Sequence, residues 1–256
     1  MASFREIIVD CWLNVGVKGF AAWPTAETAV DFGGHKLVLK PATRDTEQSV
    51  HVNIRGISDI EAMTLINRFL SVLSWCDDQA MQNLYGWSGN PTPVAVPKQV
   101  RALGSSISFP FYRSLEPNEK ARLALAIFRE GKTVNSLPFE FLSYFKILNI
   151  FWKDKFESVN DLRLNPIIEG IRATLPKLKD ECALLQVRKL QTTEPDVSQY
   201  LYESGRCAIA HAHSDPIVDP DDVSDLRRLS EDLRILKAIA EYLIETELGV
   251  SRSKLG

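Results

Sequence analysis

Tyr200-Leu201-Tyr202-Glu203-Ser204-Gly205-Arg206-Cys207-Ala208-Ile209-Ala210-His211-Ala212-His213 is the stretch on which the reading of this chain turns. It joins small residues to one arginine and two histidines, and it runs out ahead of Asp215-Pro216, where a helix must stop. Thr193-Glu194-Pro195-Asp196, just upstream, supplies a capping residue, a proline at an early helical position and acids where the helix dipole favours them. A helix is therefore predicted from Val197 to about His211. Ala208, Ile209 and Ala210 let another helix approach closely. Arg206 and His211 are five positions apart, about 140° around an ordinary helix, so they converge only where the helix ends or where symmetry brings a second pair. Dimerisation answers that geometric difficulty.

Helical signals continue on both sides. Upstream, Pro117 to about Arg129 reads as a helix ending at Gly131, and Ser136 can cap the next. That next helix, through Phe139, Phe141, Leu142, Tyr144, Phe145, Ile147, Leu148, Phe151 and Trp152, is apolar on almost every side, which predicts a bundle centre. Pro166 to Leu190 continues the pattern with a bend near Pro176. Downstream, Asp219-Pro220-Asp221-Asp222 repeats the start signal. Leu226, Leu229, Leu233, Leu236, Ala240 and Leu243 then follow at helical spacings, and Gly249 closes the helix. Residues 113–256 thus read as an all-helical bundle.

Residues 1–112 have a different pattern. Glu27 to Asp31 and Lys36 to Lys40 are short extended segments flanking Phe32-Gly33-Gly34-His35, where paired glycines permit a hairpin turn. Val50 to Arg55 alternates like a half-buried strand and stops at Gly56. Ser58-Asp59-Ile60-Glu61 is a capping box opening a helix whose apolar face is Ala62, Met63, Ile66, Phe69, Leu70 and Leu73. Gly86 to Phe111 contains Pro91, Pro93, Pro97 and Pro110 and reads as irregular or edge-like, a connector between the two halves. The predicted fold class is α+β, a small mixed α/β N-terminal region followed by the helical bundle.

Composition narrows the function classes. The 256 residues are 45% hydrophobic and 25% charged, with a formal net charge of −3, so there is no broad basic field and any RNA contact is local. Cys11, Cys76, Cys182 and Cys207 have no paired short spacing, which argues against a zinc site or a disulfide framework and for reduced thiols in a cytoplasmic setting. The most apolar run, Leu137 to Trp152, is broken by Glu140 and Lys146, so a soluble protein with no membrane partner is expected. Arg5, Glu6 and Asp10 do not make a secretory leader. The N-terminal half carries no Gly-rich phosphate loop and no Ser-centred nucleophile elbow, leaving it a role in target recognition or partner binding.

The Arg206 segment, with the helices around it, resembles the HEPN superfamily, whose hallmark is an Arg and a His a few residues apart late in a helix; here four residues intervene. The resemblance spans roughly Pro117 to Gly249. Within that superfamily, a mixed region ahead of the bundle is similar to MauJ-type proteins, encoded with methylamine-utilisation genes. In catalytic HEPN members two protomers face each other and their Arg and His residues form one composite RNA-cleaving site. Here that implies Arg206 and His211, a homodimer and an RNA substrate, with no metal and no cofactor. The chemistry suits these side chains: a neutral imidazole can take the ribose 2′-hydroxyl proton, and a permanently charged guanidinium stabilises the developing phosphorane. The products would be a 2′,3′-cyclic phosphate and a 5′-hydroxyl. Defence or toxin systems are the setting such activity implies, with a protein inhibitor as a further partner. Two positions depart from the pattern. Cys207 stands where active members carry a polar Asn, Asp or His, and His213 stands where tyrosine-modified members carry Tyr, so that regulatory route is not carried over.

Each site residue also has a structural alternative. Arg206 and His211 can serve as an arginine paired with Glu203, Asp215 or a carboxylate of the last helix, and as a capping histidine. The chain would then be a non-catalytic RNA- or protein-binding module, accessory to amine metabolism. Tyr202 is a secondary candidate for stacking on an RNA base, since an aromatic at helical spacing is more often a core or interface residue. His213 is a candidate for phosphate contact, or it faces solvent. His211 and His213 form an H-x-H pair, but a metal site would need further ligands. Arg227, Arg228, Arg234 and Lys237, interrupted by Glu231, Asp232 and Glu241, read as a mixed solvated face.

Overall fold

The turn at Gly33-Gly34 is formed as the sequence predicts: both residues take positive φ, +58° and +78°, and the flanking strands pair from Thr28↔Leu39 to Phe32↔His35. A computed structural model describes residues 10–98, 111–134, 136–154, 157–159, 162–210, 217–219 and 222–255 of the chain. They divide into two compact units, one within Met1–Glu116 and Ser251–Gly256, the other within Pro117–Val250. The first holds an antiparallel sheet and the second is mainly helical, an α+β architecture.

The sheet of the first unit is built from Trp12–Gly19 (β1), Thr28–Phe32 (β2), His35–Lys40 (β3), Ser49–Asn53 (β4) and Met81–Asn90 (β5), in the order β2-β3-β4-β1-β5. Asp59–Asp77 (α1) begins with the predicted capping box: Ser58 Oγ accepts from Glu61 N at 3.2 Å, and Glu61 accepts from Ser58 N at 2.8 Å. Its apolar face meets the sheet through Phe69, whose ring lies edge-on to Phe32 at 5.6 Å and to Phe111 at 5.0 Å. Each such pair adds about 0.5–1.5 kcal/mol beyond the area it buries.

The sheet corrects the sequence reading in three places. The interior strand β1, between β4 and β5, was not anticipated, because Asn14 and Gly16 interrupt its apolar pattern. The stretch from Gly86 expected to be irregular or edge-like begins as an edge strand, since β5 is the last strand of the sheet, runs to Asn90 and pairs Trp12↔Asn90, Asn14↔Trp87 and Val15↔Gly86, so the irregular connector starts later. The prolines that deny ladder donors start only at Pro91. The third correction concerns β4, expected to be half-buried: Val50, His51 and Val52 are all buried, because α1 covers one face and the segment around Val94 and Val96 covers the other.

That second face carries a buried polar chain. His51 Nδ1 lies 2.8 Å from Asn14 Oδ1, and Nε2 lies 2.9 Å from Ser49 Oγ. Val94 N also donates to Asn14 Oδ1, at 2.8 Å. The Asn14 oxygen accepts, so Nδ1 carries the proton and Nε2 accepts from the Ser49 hydroxyl. Burial, and secondarily the charge of Lys40, push the imidazole down to about 4 from 6.5. The histidine is a neutral structural element.

Residues 251–255 complete the first unit. Arg252 stacks over Trp75 at 4.1 Å, Trp75 Nε1 donates to Ser251 O at 3.0 Å, and Lys254 pairs with Asp77 at 2.6 Å. Buried Arg113 donates to the carbonyls of Ser251 and Ser253.

The second unit opens with Glu119–Thr133 (α2), capped by Asn118, and Leu137–Leu148 (α3). Gly131 does not end α2 as expected; a Cβ there would sit 3.1 Å from Ser143 Cβ, so this glycine marks where α2 and α3 touch. The apolar α3 packs against α2, against Val223–Tyr242 (α8) and against the Arg206 segment, the central place its sequence predicts. The region is not wholly helical. Glu157–Val159 (β6) and Leu162–Leu164 (β7) form an antiparallel ribbon between α3 and Pro166–Thr174 (α4). Near Pro176 the chain breaks rather than bends: a short tight turn at Leu175–Lys177 follows α4, and Asp180 caps Glu181–Leu190 (α5) through Ala183 N at 2.6 Å. Asp222 caps α8, and Gly249, with φ of +68°, stands beyond its end. No described helix is long and apolar enough to cross a membrane.

Candidate functional site

The helix predicted from Val197 is present through residue 210, but it is not a regular α-helix. Asp196 caps it by accepting from Ser198 N and Gln199 N. After Val197–Tyr200 (α6) the backbone widens into a π-helical turn over Leu201–Cys207 and returns to α geometry at Ala208–Ala210 (α7). Such turns insert an extra residue and are frequent at functional sites. Gly205 is needed here, since a Cβ on it would meet the buried Phe141 ring at 2.3 Å. The small residue that admits α3 is therefore Gly205 rather than the Ala208–Ala210 trio, of which Ala210 is exposed.

Arg206 projects from the widened turn onto Asp154, with Nη2 to Oδ2 at 2.6 Å. Asp154 Oδ1 accepts from the Tyr202 hydroxyl at 2.8 Å and from Asn165 Nδ2 at 3.4 Å. Asn165 uses its own oxygen to cap α4 through Ile167 N at 3.0 Å. Trp152, just before Asp154, packs flat on Gly170 of α4, where a Cβ would fall 2.2 Å from the indole. The carboxylate is thus held by the Tyr202 and Asn165 side chains, beside a Trp152 packed on α4. Side-chain exposure is 27% for Arg206 and 15% for Asp154, so the pair is partly shielded. Its electrostatics count for more than those of a surface pair.

The Arg206 guanidinium lies 5.6 Å from the Tyr202 ring centroid and 3.8 Å from Cys207 Sγ. Burial opposes its charge, but the Cys207 sulfur and then Asp154 more than compensate, holding its pKa above the ordinary value. Cys207 acts here as a weak acceptor. The Tyr202 phenol is raised well above its usual range, first by burial and then by its hydrogen bond to Asp154.

Tyr202 is 7% exposed, with Arg206 against its ring and Phe145 at 6.2 Å. That places it in the core role, and no open face is presented to a base. His211 and His213 lie outside the described residues. Asp154 and Asn165 were missed by sequence reasoning. Their only signal was position: an acid a few residues beyond a mostly apolar helix, and an Asn ahead of Pro166. The face read as solvated on α8 divides in two. Arg227 and Arg234 are exposed, whereas Arg228 turns inward and Asp232 is 1% exposed. Asp232 Oδ2 accepts from the Tyr200 hydroxyl at 2.9 Å; burial pushes this carboxyl up, against the pull of that hydroxyl and of Arg228.

A cleft of about 490 Å³ between α5 and the start of the Val197 helix is lined by Leu184, Val187, Arg188 and Pro195, and none of its lining residues belongs to the Arg206 cluster. Among the described residues, no group of His, Cys, Asp and Glu gathers to hold a metal.

No curated protein and no solved structure matches the chain. Residues 124–245 match the family model described as "Methylamine utilization protein MauJ", so over the stretch that carries Arg206, Asp154 and most of the helical unit the chain is similar to that family, in agreement with the narrower of the two resemblances.

Proposed function

We propose that the protein is a metal-independent endoribonuclease of HEPN type, in which two copies bring together Arg206 and His211 around one composite site. The observation that carries this reading is the state of Arg206. It is held in one direction by Asp154, it keeps its charge, and its side chain retains 27% exposure near the end of the helix that leads to His211. A pre-oriented guanidinium of this kind stabilises charge that develops on a phosphorane. In the proposed reaction the 2′-oxygen forms a bond to phosphorus as His211 takes its proton. The bond to the 5′-oxygen breaks, that oxygen receives the proton His211 took, and a 2′,3′-cyclic phosphate remains. Defence or a toxin system is the proposed setting, with a protein inhibitor as a proposed partner.

A second reading is a non-catalytic RNA- or protein-binding module, accessory to amine metabolism. The same ion pair favours it, because Asp154 offsets the charge that phosphate would otherwise meet. Single-stranded and structured RNAs incubated with the protein in EDTA distinguish the two. Cleavage leaving cyclic phosphate ends, absent from an oligonucleotide with a 2′-deoxy scissile position, supports the enzyme. Binding without cleavage supports the module.

A further inference from the structure

Arg228 approaches the widened turn from α8. Its Nη1 donates to the carbonyl oxygen of Ser204 at 2.9 Å. In a regular α-helix that oxygen would accept from Ala208 N, but Ala208 N is directed instead to Glu203 O and Gly205 O. The guanidinium occupies the place that the π turn removes from the ladder. Arg228 is in turn flanked by carboxylates on its own helix, Asp225 Oδ1 at 3.7 Å and Asp232 Oδ2 at 3.5 Å, and by the Tyr200 hydroxyl at 3.5 Å. Tyr200 donates to Asp232 at 2.9 Å, so the first turn of the Val197 helix and the middle of α8 are joined through the same atoms. Asp232 Oδ1 is buried and accepts no hydrogen bond among the described residues.

The consequence is rotational. A π turn holds one residue more than the α turn it replaces, so everything after it is presented about 100° away from where an uninterrupted helix would put it. Arg206 stands near the end of this turn. Were the turn to relax, Arg206 would swing away from Asp154 while Tyr200 and Leu201 stayed in place. We infer that Arg228 is a positioning residue for Arg206, acting through the Ser204 carbonyl to hold the wide turn and with it the direction of the Arg206 guanidinium. As a statement about catalysis this rests on the ribonuclease reading; as a statement about geometry it does not.

The test uses the full chain with Arg228→Met, which keeps the bulk and removes the donors, and Arg228→Lys, which restores one donor and the charge. The first readout is the guanidinium signal of isotope-labelled Arg206, identified by its loss in Arg206→Lys. In the parent it is expected to show the restricted rotation of a group tied to Asp154. In Arg228→Met that restriction is lost, and in Arg228→Lys it largely returns. An unchanged Arg206 signal in Arg228→Met overturns the inference. Should Arg228→Met fail to fold, Tyr200→Phe, which removes the hydroxyl beside Arg228, must loosen the same signal in part; no change overturns the inference as well. The second readout is RNA cleavage. Arg228→Met lowers kcat by about 10- to 100-fold at constant KM, with no further loss in an Arg206→Ala background. Equal losses in both backgrounds overturn it. If the parent cleaves no RNA, the ribonuclease reading fails and the guanidinium signal alone decides the inference.

Discussion

Replacing His51 with Gln removes the pH dependence that a buried neutral imidazole confers on the first unit. The folded protein holds His51 at about 4, against 6.5 when unfolded. The folded state therefore binds this proton more weakly, so the associated stability is fully present above pH 6.5 and is lost as pH falls toward 4. The whole shift corresponds to about 3 kcal/mol, of which roughly 2 kcal/mol is lost by about pH 5. Other carboxylates titrate in the same window, so the quantity to compare is the pH-dependent part of unfolding free energy in the parent and in His51→Gln. Trp12, Trp23, Trp75 and Trp87 fall in the first unit and Trp152 in the second. In a Trp152→Phe background, tryptophan fluorescence during urea unfolding reports the first unit. The parent is expected to lose about 2 kcal/mol more than the Gln variant between about pH 7.5 and pH 5. Parallel losses would refute the account of the His51 chain, whatever the variant costs at neutral pH.

Gly205→Ala forces a methyl into the Phe141 ring and is expected to destabilise the second unit by about 1–3 kcal/mol, with partial rescue by Phe141→Leu in chemical denaturation. Asp154→Asn removes the negative charge opposite Arg206 and one of the two carboxylate oxygens that Arg206 and Tyr202 use. A loss of about 1–3 kcal/mol is expected after discounting for the part exposure of Arg206, and calorimetry that finds no change contradicts the geometry. Ending the chain at Val250 removes the carbonyls that Arg113 and Trp75 bind and the Arg252 stack. The fluorescence-monitored midpoint of the first unit falls by an amount corresponding to at least about 2 kcal/mol; an unmoved midpoint would show that the tail is not part of that unit's core.

What the sequence revealed was what short-range chemistry decides. The Gly33-Gly34 hairpin and the Ser58/Glu61 box each depend on residues a few positions apart, and each is present; the two acid-proline start signals also precede helices, but the caps are their last residues, Asp196 and Asp222, so Pro195 stands ahead of its helix and not at an early helical position. The α+β order followed from the change of hydrophobic period. Features set by distant partners were illegible. β1 carries a buried Asn14 that is tolerable only because His51, Val94 and the β5 edge satisfy it. The wide turn at Leu201–Cys207 depends on Arg228, twenty-four residues from Ser204, and on Phe141 lying over Gly205. Arg206 was matched in sequence with nearby acids, but its ion pair reaches back to Asp154 across two intervening helices and a ribbon. The ribbon itself had a signal that went unused: Val159-Asn160-Asp161-Leu162 sets turn-forming residues between apolar ones. The face of α8 was misread because spacing alone does not distinguish an inward Arg228 and Asp232 from the exposed Arg227 and Arg234 beside them.

The central claim is that Arg206 and His211 cleave RNA. The most direct measurement incubates labelled RNA in EDTA with the purified parent chain and with the Arg206→Ala, His211→Ala double variant, at concentrations where solution mass has been determined for both. The account predicts cleavage by a dimeric parent and none by an equally dimeric variant. Equal cleavage by the two, or none by the parent, would contradict it.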